Sequence, residues 1–214
     1  MNRVTISNET ISYKHYPNDN LKIAILAHPY EYLGGSVDDA CIVLMAENLQ
    51  KKGYSVYVLD FASLPSIWFS GRRDAKIFSI FTHHLVEIHS PSHLLIGGYS
   101  YGGRIAMHPS IWEKLDFNCI NISFIFLAPY LGLGSGLLTG YWNVKVDKIP
   151  QKASILYIVP TNDNFTGLNT FHSFYSKLKN HCSKSKMIEL HDCPHFLDLQ
   201  KQKELSTALD EWIK

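Results

Sequence analysis

The chain has 214 residues, is 46% apolar and 18% charged, and carries a formal net charge of +1. That length and apolar content suit one domain over residues 1–214 with a core of its own. The near-neutral balance argues against a nucleic-acid or membrane-surface binder that works through a basic field. No run approaches the roughly 18 apolar residues of a membrane-spanning helix, and residues 1–9 lack the apolar stretch of a secretory signal.

In chain order, residues 4–6 and 11–14, joined by Ser7-Asn8-Glu9-Thr10, read as an opening hairpin. Residues 21–27 form the first strongly buried strand. The next helix is expected to be capped by Ser36, with Asp39 three residues on as an imperfect capping box. In it Ile42, Met45, Ala46 and Leu49 fall at helical spacing, and Gly53 ends it. Residues 54–61 predict a strand, 62–73 a polar and aromatic loop, and 74–88 a helix. Residues 93–97 are a strand running into a glycine-rich turn, followed by a helix cut near Pro109. Strands follow at 122–127 and 154–159, then a helix at 168–181 and a last strand at 186–190. Leu205, Ala208, Leu209 and Trp212 mark a C-terminal helix. This alternation predicts an α/β fold: a mainly parallel sheet, an antiparallel N-terminal hairpin, and helices on both faces.

The turn Gly98-Tyr99-Ser100-Tyr101-Gly102 matches G-x-S-x-G between a strand and a helix, the context of a nucleophile elbow. The turn is so tight that the residues two before and two after the serine must lack a side chain. Ser100 is the candidate nucleophile. A serine hydroxyl needs a base in hydrogen-bond reach and a third group to orient that base. His195, in the loop before the last helix, is the candidate base, with His191, His181 and His172 as rivals. Asp163, just after the strand at 154–159, is the candidate orienting acid, with Asp192 and Asp60 as weaker alternatives.

A tetrahedral intermediate also requires main-chain donors for its oxygen. Tyr101 follows the nucleophile and supplies one. The other is expected from the loop His28-Pro29-Tyr30-Glu31-Tyr32-Leu33-Gly34-Gly35-Ser36. Pro29 has no N–H, which points to Tyr30. His28 is expected to orient this loop by hydrogen bonding.

The elbow, together with His28-Pro29 and Gly34-Gly35-Ser36, resembles the α/β-hydrolase family across nearly the whole chain. The similarity is to small lidless members related to dienelactone hydrolases, esterases and thioesterases. It implies an α/β-hydrolase fold with minimal or no lid, Ser100 as nucleophile, Asp163 as acid, His195 as base, and Tyr30 and Tyr101 as backbone donors. It also implies hydrolysis of a small-molecule carboxylic ester or thioester through an acyl-enzyme. Two features depart from the family pattern. Only Ser70-Gly71-Arg72 echoes an Arg-Gly-x-Gly loop, and Cys193-Pro194 precedes His195.

Residues 128–153 leave room for a loop or one short helix in place of a lid domain, with Gly132, Gly134, Gly136 and Gly140 lending mobility and Tyr141-Trp142 an apolar wall. Tyr30, Tyr32, Trp68, Phe69, Tyr99, Tyr130, Trp142, Phe165 and Phe196 crowd the loops expected around the site. Arg72 and Arg73 read chiefly as surface residues. No cofactor or metal is expected: neither a P-loop nor G-x-G-x-x-G occurs, and the four cysteines (41, 119, 182, 193) form no C-x-x-C pair. The cysteines suit reduced thiols, and the cytoplasm is the expected compartment. A catalytically inactive binding or scaffold protein on the same fold is the alternative.

Overall fold

The computed structural model describes residues 1–61, 71–132, 134–139, 144–182 and 184–213. Among them, eight strands form one sheet: β1 (Asn2–Ile6), β2 (Glu9–Tyr16), β3 (Lys22–Ala27), β4 (Ser55–Asp60), β5 (His93–Tyr99), β6 (Asn121–Leu127), β7 (Ser154–Pro160) and β8 (Lys184–Leu190). The order across the sheet is β1-β2-β4-β3-β5-β6-β7-β8. β1, β2 and β4 pair antiparallel, and every later pairing is parallel.

Both faces of the central parallel strands are covered, so these are largely apolar, whereas β8 at the edge keeps Lys184, Lys186 and Glu189. The two-residue period of a strand then divides the side chains between two cores. Ile23, Ile25, Leu94, Ile96, Phe124, Phe126, Ile155 and Tyr157 face one side. There they meet α2 (Gly71–His89), α3 (Tyr101–Ala106) and α5 (Leu168–His181). Ala24, Leu26, Leu95, Ile125, Leu127, Leu156 and Ile158 face the other, against α1 (Ala40–Lys51) and α6 (Leu199–Trp212). Ile42, Met45, Ala46 and Leu49, the helical stripe legible in the sequence, are fully buried.

The expected cap of α1 is displaced. Ser36 Oγ accepts from the Asp38 amide at 3.2 Å, a local turn that ends before the helix begins. Asp39 is the N-cap: its Oδ1 accepts from the amides of Cys41 at 3.0 Å and Ile42 at 3.2 Å. Leu21 stands before β3, exposed, with its carbonyl taken by the Ser92 amide. β5 continues to Tyr99, two residues beyond its sequence-based end, because β6 pairs with it through Tyr99↔Leu127. β8 starts at Lys184, two residues early, paired with Ser154. The stretch between β6 and β7 holds one α-helix among its described residues, α4 (Ser135–Thr139), and a single 3-10 turn at Val146–Lys148. Gly140, Tyr141 and Trp142 lie outside the described residues, as do residues 62–70 of the predicted polar loop.

Candidate active site

The parallel register brings the C-terminal ends of six strands to one edge, where Ala27 pairs with Leu59 and Gly98, Tyr99 with Leu127, and Pro160 with Leu190. In open α/β sheets this edge is where ligands bind. Four of the loops that leave it carry the sequence-predicted residues.

Ser100 sits between β5 and α3 at φ 54°, ψ −117°, a backbone conformation that costs free energy in a non-glycine residue. Surrounding bonds impose it. The Ser100 amide donates to the Leu127 carbonyl at 2.9 Å, and the Ser100 carbonyl accepts from Arg104 at 3.0 Å and Tyr130 at 3.1 Å. The requirement for glycines is steric. A Cβ on Gly98 would lie 2.6 Å from the Gly102 carbonyl carbon and 2.7 Å from the Ala27 oxygen. A Cβ on Gly102 would overlap the Ala27 carbonyl itself.

Asp163 and His195 converge on this serine. His195 Nε2 lies 2.7 Å from Ser100 Oγ, and His195 Nδ1 lies 2.6 Å from Asp163 Oδ2. The side chains of His195 and Asp163 are 3% and 0% exposed, so both are shielded from bulk water. A carboxylate only accepts hydrogen bonds, so Nδ1 carries the proton and Nε2 is left to accept from the serine hydroxyl. The other Asp163 oxygen, Oδ1, accepts from the amides of Phe165 at 2.7 Å and Thr166 at 2.8 Å, which fixes the carboxylate plane. The loops carrying Asp163 and His195 are tied together: the Thr161 amide donates to Leu190 O, the Asn162 amide to Cys193 O, and the Asp192 amide to Thr161 Oγ1. From beneath, Tyr99 Oη donates to the His195 carbonyl at 2.6 Å, with its ring stacked at 5.7 Å from the imidazole. Phe165 and Phe196 flank the imidazole at 4.6 and 5.3 Å.

The rival residues go elsewhere. His172 pairs with Glu189 at 2.9 Å, and His181 Nε2 meets the Ile149 carbonyl at 2.5 Å. His191 and Asp192 are exposed. Asp60 lies 3.9 Å from His28 Nε2.

The loop after β3 holds the other predicted donor. The Tyr30 carbonyl accepts from the amides of Leu33 and Gly35, both at 3.1 Å, and Gly34 turns the chain at φ 87°. His28 staples this loop to the sheet. Its Nε2 accepts from the Phe61 amide at 3.1 Å, so the proton is on Nδ1, which donates to Pro29 O at 2.5 Å. Burial lowers the His28 pKa, consistent with this neutral, doubly bonded ring. Tyr30 and Tyr101 line one cavity with Ser100 and His195, and their rings meet at 5.1 Å.

That cavity has a volume of about 310 Å³, and its remaining walls are Pro29, Leu33, Gly34, Gly35, Asp39, Tyr130, Leu138, Phe165 and Phe196. Of the aromatic residues expected here, Tyr30, Tyr130, Phe165 and Phe196 line it. Tyr99 is buried below it, and Tyr32 is exposed against Tyr30. Trp68, Phe69 and Trp142 lie outside the described residues, as does Ser70 of the Ser70-Gly71-Arg72 echo. Arg72 is exposed and Arg73 half-buried, and neither is among the described lining residues.

Two contributors escape the sequence. Buried Asp74, on α2, accepts from Tyr101 Oη at 2.5 Å. Nothing local marks a pairing across 27 residues, and an aspartate in a first helical turn reads simply as dipole compensation. Leu138 joins the wall because α4 folds over the site, which no periodicity shows in so short a helix.

Three of the four thiols are buried and held protonated. Burial pushes Cys41 up to about 12 and Cys182 and Cys193 up to about 11, and all four cysteines are free. Among the described residues, no group of three or more His, Cys, Asp or Glu is placed to hold a metal ion, and no helix is long and apolar enough to cross a membrane.

No family model matches the chain. It is 41% identical over 208 residues to the uncharacterized protein C959.06c of Schizosaccharomyces pombe, covering 97% of this chain and 92% of that protein. Its fold is that of solved α/β hydrolases. A putative α/β hydrolase from Agrobacterium tumefaciens superposes with a TM-score of 0.80 at 18% identity, covering 99% of this chain and 93% of the other. An α/β serine hydrolase without lid from Xanthomonas campestris gives 0.73 at 16%, with 99% and 93% covered. A Pyrococcus furiosus esterase gives 0.74 at 15%, with 99% and 92% covered.

Proposed function

We propose that this chain, which belongs to the family of that Schizosaccharomyces pombe protein and has the lidless α/β-hydrolase fold, is a serine hydrolase of carboxylic esters or thioesters. The observation that carries this reading is the continuous hydrogen-bonded path from Ser100 Oγ through His195 to Asp163, in the wall of an apolar cavity. A binding module has no use for all three groups in that order.

In the proposed reaction Ser100 Oγ attacks the carbonyl carbon while its proton passes to His195 Nε2. Asp163 holds the imidazole in the required tautomer and stabilises the imidazolium. The tetrahedral oxyanion takes hydrogen bonds from the Tyr30 and Tyr101 amides, the latter at the first position of α3, where helix N–H groups and the dipole favour negative charge. Collapse breaks the bond to the leaving alcohol or thiol, which takes the proton from Nε2. Water then repeats both steps, releasing the acid and restoring the serine. No cofactor enters.

The test is covalent labelling with a fluorophosphonate probe, with wild type beside Ser100→Ala and His195→Ala. Labelling of wild type alone, with the adduct mapped to Ser100, is the expected result. Folded wild type that neither reacts nor turns over any ester would replace this reading with that of a binding protein.

A further inference from the structure

The cavity is selective in two ways that the serine chemistry alone does not require. First, its described walls contain no lysine or arginine, and their one carboxyl group is that of Asp39, whose pKa burial raises against the two capping bonds that favour its charged form. That carboxylate is held in place: both amides it caps bond to Oδ1 at the start of α1, so it cannot swing away without uncapping the helix. An acyl group bearing its own carboxylate would meet a like charge there, with no lysine or arginine among the described walls to offset it.

Second, the apolar lining does not stop at the mouth. Leu33, Phe165 and Phe196 line the cavity and are still 61%, 37% and 57% exposed. They stand on three separate loops, and a monomer leaves large side chains in such a cluster chiefly where something apolar is to be covered. The cavity itself is small. At the ~30 Å³ that a water occupies in the liquid, about 310 Å³ holds roughly ten heavy atoms.

On the serine-hydrolase reading, we propose that the substrate is a neutral ester or thioester with an apolar acyl chain that outgrows the cavity and lies across Leu33, Phe165 and Phe196, and that Asp39 excludes acyl groups carrying a carboxylate. Chain length is then sensed outside the cavity, and charge inside it.

The test uses p-nitrophenyl esters of acetic, hexanoic, octanoic and adipic acids on protein first shown to take the fluorophosphonate label. kcat/KM is expected to rise about tenfold or more from acetyl to octanoyl. The hexanoyl ester should exceed its adipoyl counterpart by a similar factor. Asp39→Asn, which keeps a capping oxygen, should shrink the hexanoyl-to-adipoyl ratio and leave the octanoyl-to-acetyl ratio in place. Phe196→Ser should do the reverse. A labelled wild type whose kcat/KM is flat or falls beyond acetyl, which accepts adipoyl as well as hexanoyl, or which turns over none of the series, overturns this selectivity and leaves the activated serine standing. Protein that is neither labelled nor active on any ester overturns the hydrolase reading and the selectivity with it.

Discussion

The two edges of the sheet make an instructive pair. The edge at the strands' N-terminal ends carries the larger cavity, about 830 Å³, lined by the first residues of four strands, His93, Asn121, Ser154 and Lys184. The opposite edge carries about 310 Å³. Yet the smaller cavity holds the strained serine, the buried histidine–aspartate pair and the glycines in backbone contact. The difference follows from direction. Parallel strands alternating with helices send the N-termini of α1, α3, α5 and α6 to one edge, at Asp39, Ser100, Gly167 and Asp198, and the C-terminal ends of α1, α2, α5 and α6 to the other. Helix N-termini offer unpaired N–H groups and partial positive charge, which developing oxyanions use; C-termini offer carbonyls. The charges of the larger groove, such as Lys186 and Glu211 at 3.3 Å, are a solvated pair of the kind that contributes little. Volume marks a depression, and converging polar groups mark a site.

Substitutions at the two edges sharpen this contrast. The largest effect is expected from Asp163→Asn, which leaves the histidine beside an amide and favours the wrong tautomer. On the triad reading, kcat should fall about ten-thousandfold, measured by steady-state hydrolysis, with the folded state retained by near-ultraviolet circular dichroism. Next comes Gly102→Ala, which drives a methyl group into the Ala27 carbonyl. A loss of about 3 kcal/mol or more in urea unfolding is expected, and a normal midpoint would contradict the backbone contact described for the elbow. Tyr99→Phe removes the hydroxyl that holds the His195 carbonyl and should cost about 1–2 kcal/mol of stability. On the same triad reading that bond positions the base, so kcat should drop several-fold with KM nearly constant.

Acid is a subtler way to disturb the same edge. Burial lowers His28, and also His15 and His108, below the ordinary histidine value. The unfolded chain therefore binds protons that the folded one refuses. Stability is fully present above about pH 6.5 and is lost as pH falls from there toward the lowered folded values. Urea midpoints from pH 8 to pH 5 should decline, and a flat profile would mean that these rings titrate normally. The smallest effect belongs to the larger groove: Lys186→Ala should change stability by less than about 0.5 kcal/mol and leave fluorophosphonate labelling intact.

Much of the molecule follows from local pattern. Runs of β-branched and aromatic residues separated by amphipathic stretches specify an α/β sandwich, since each side chain's face is set by a period of two or 3.6. G-x-S-x-G identifies its own backbone, because nothing but glycine fits two residues either side of Ser100. Of Ser100, Asp163 and His195, singled out by the sequence in that chain order, the histidine lies within hydrogen-bond reach of the other two. The sequence puts His195 first among four histidines, but distances exist only in three dimensions, where His172 and His181 take other partners, His191 is exposed and His195 Nε2 lies 2.7 Å from Ser100 Oγ. The same holds for the Asp74–Tyr101 contact, the displacement of the α1 cap from Ser36 to Asp39, and the apolar lips at Leu33, Phe165 and Phe196. These depend on how separate loops meet at one sheet edge. A one-dimensional pattern records which face a residue takes, whereas the distance between two loops is set by strand register and helix packing across the whole chain.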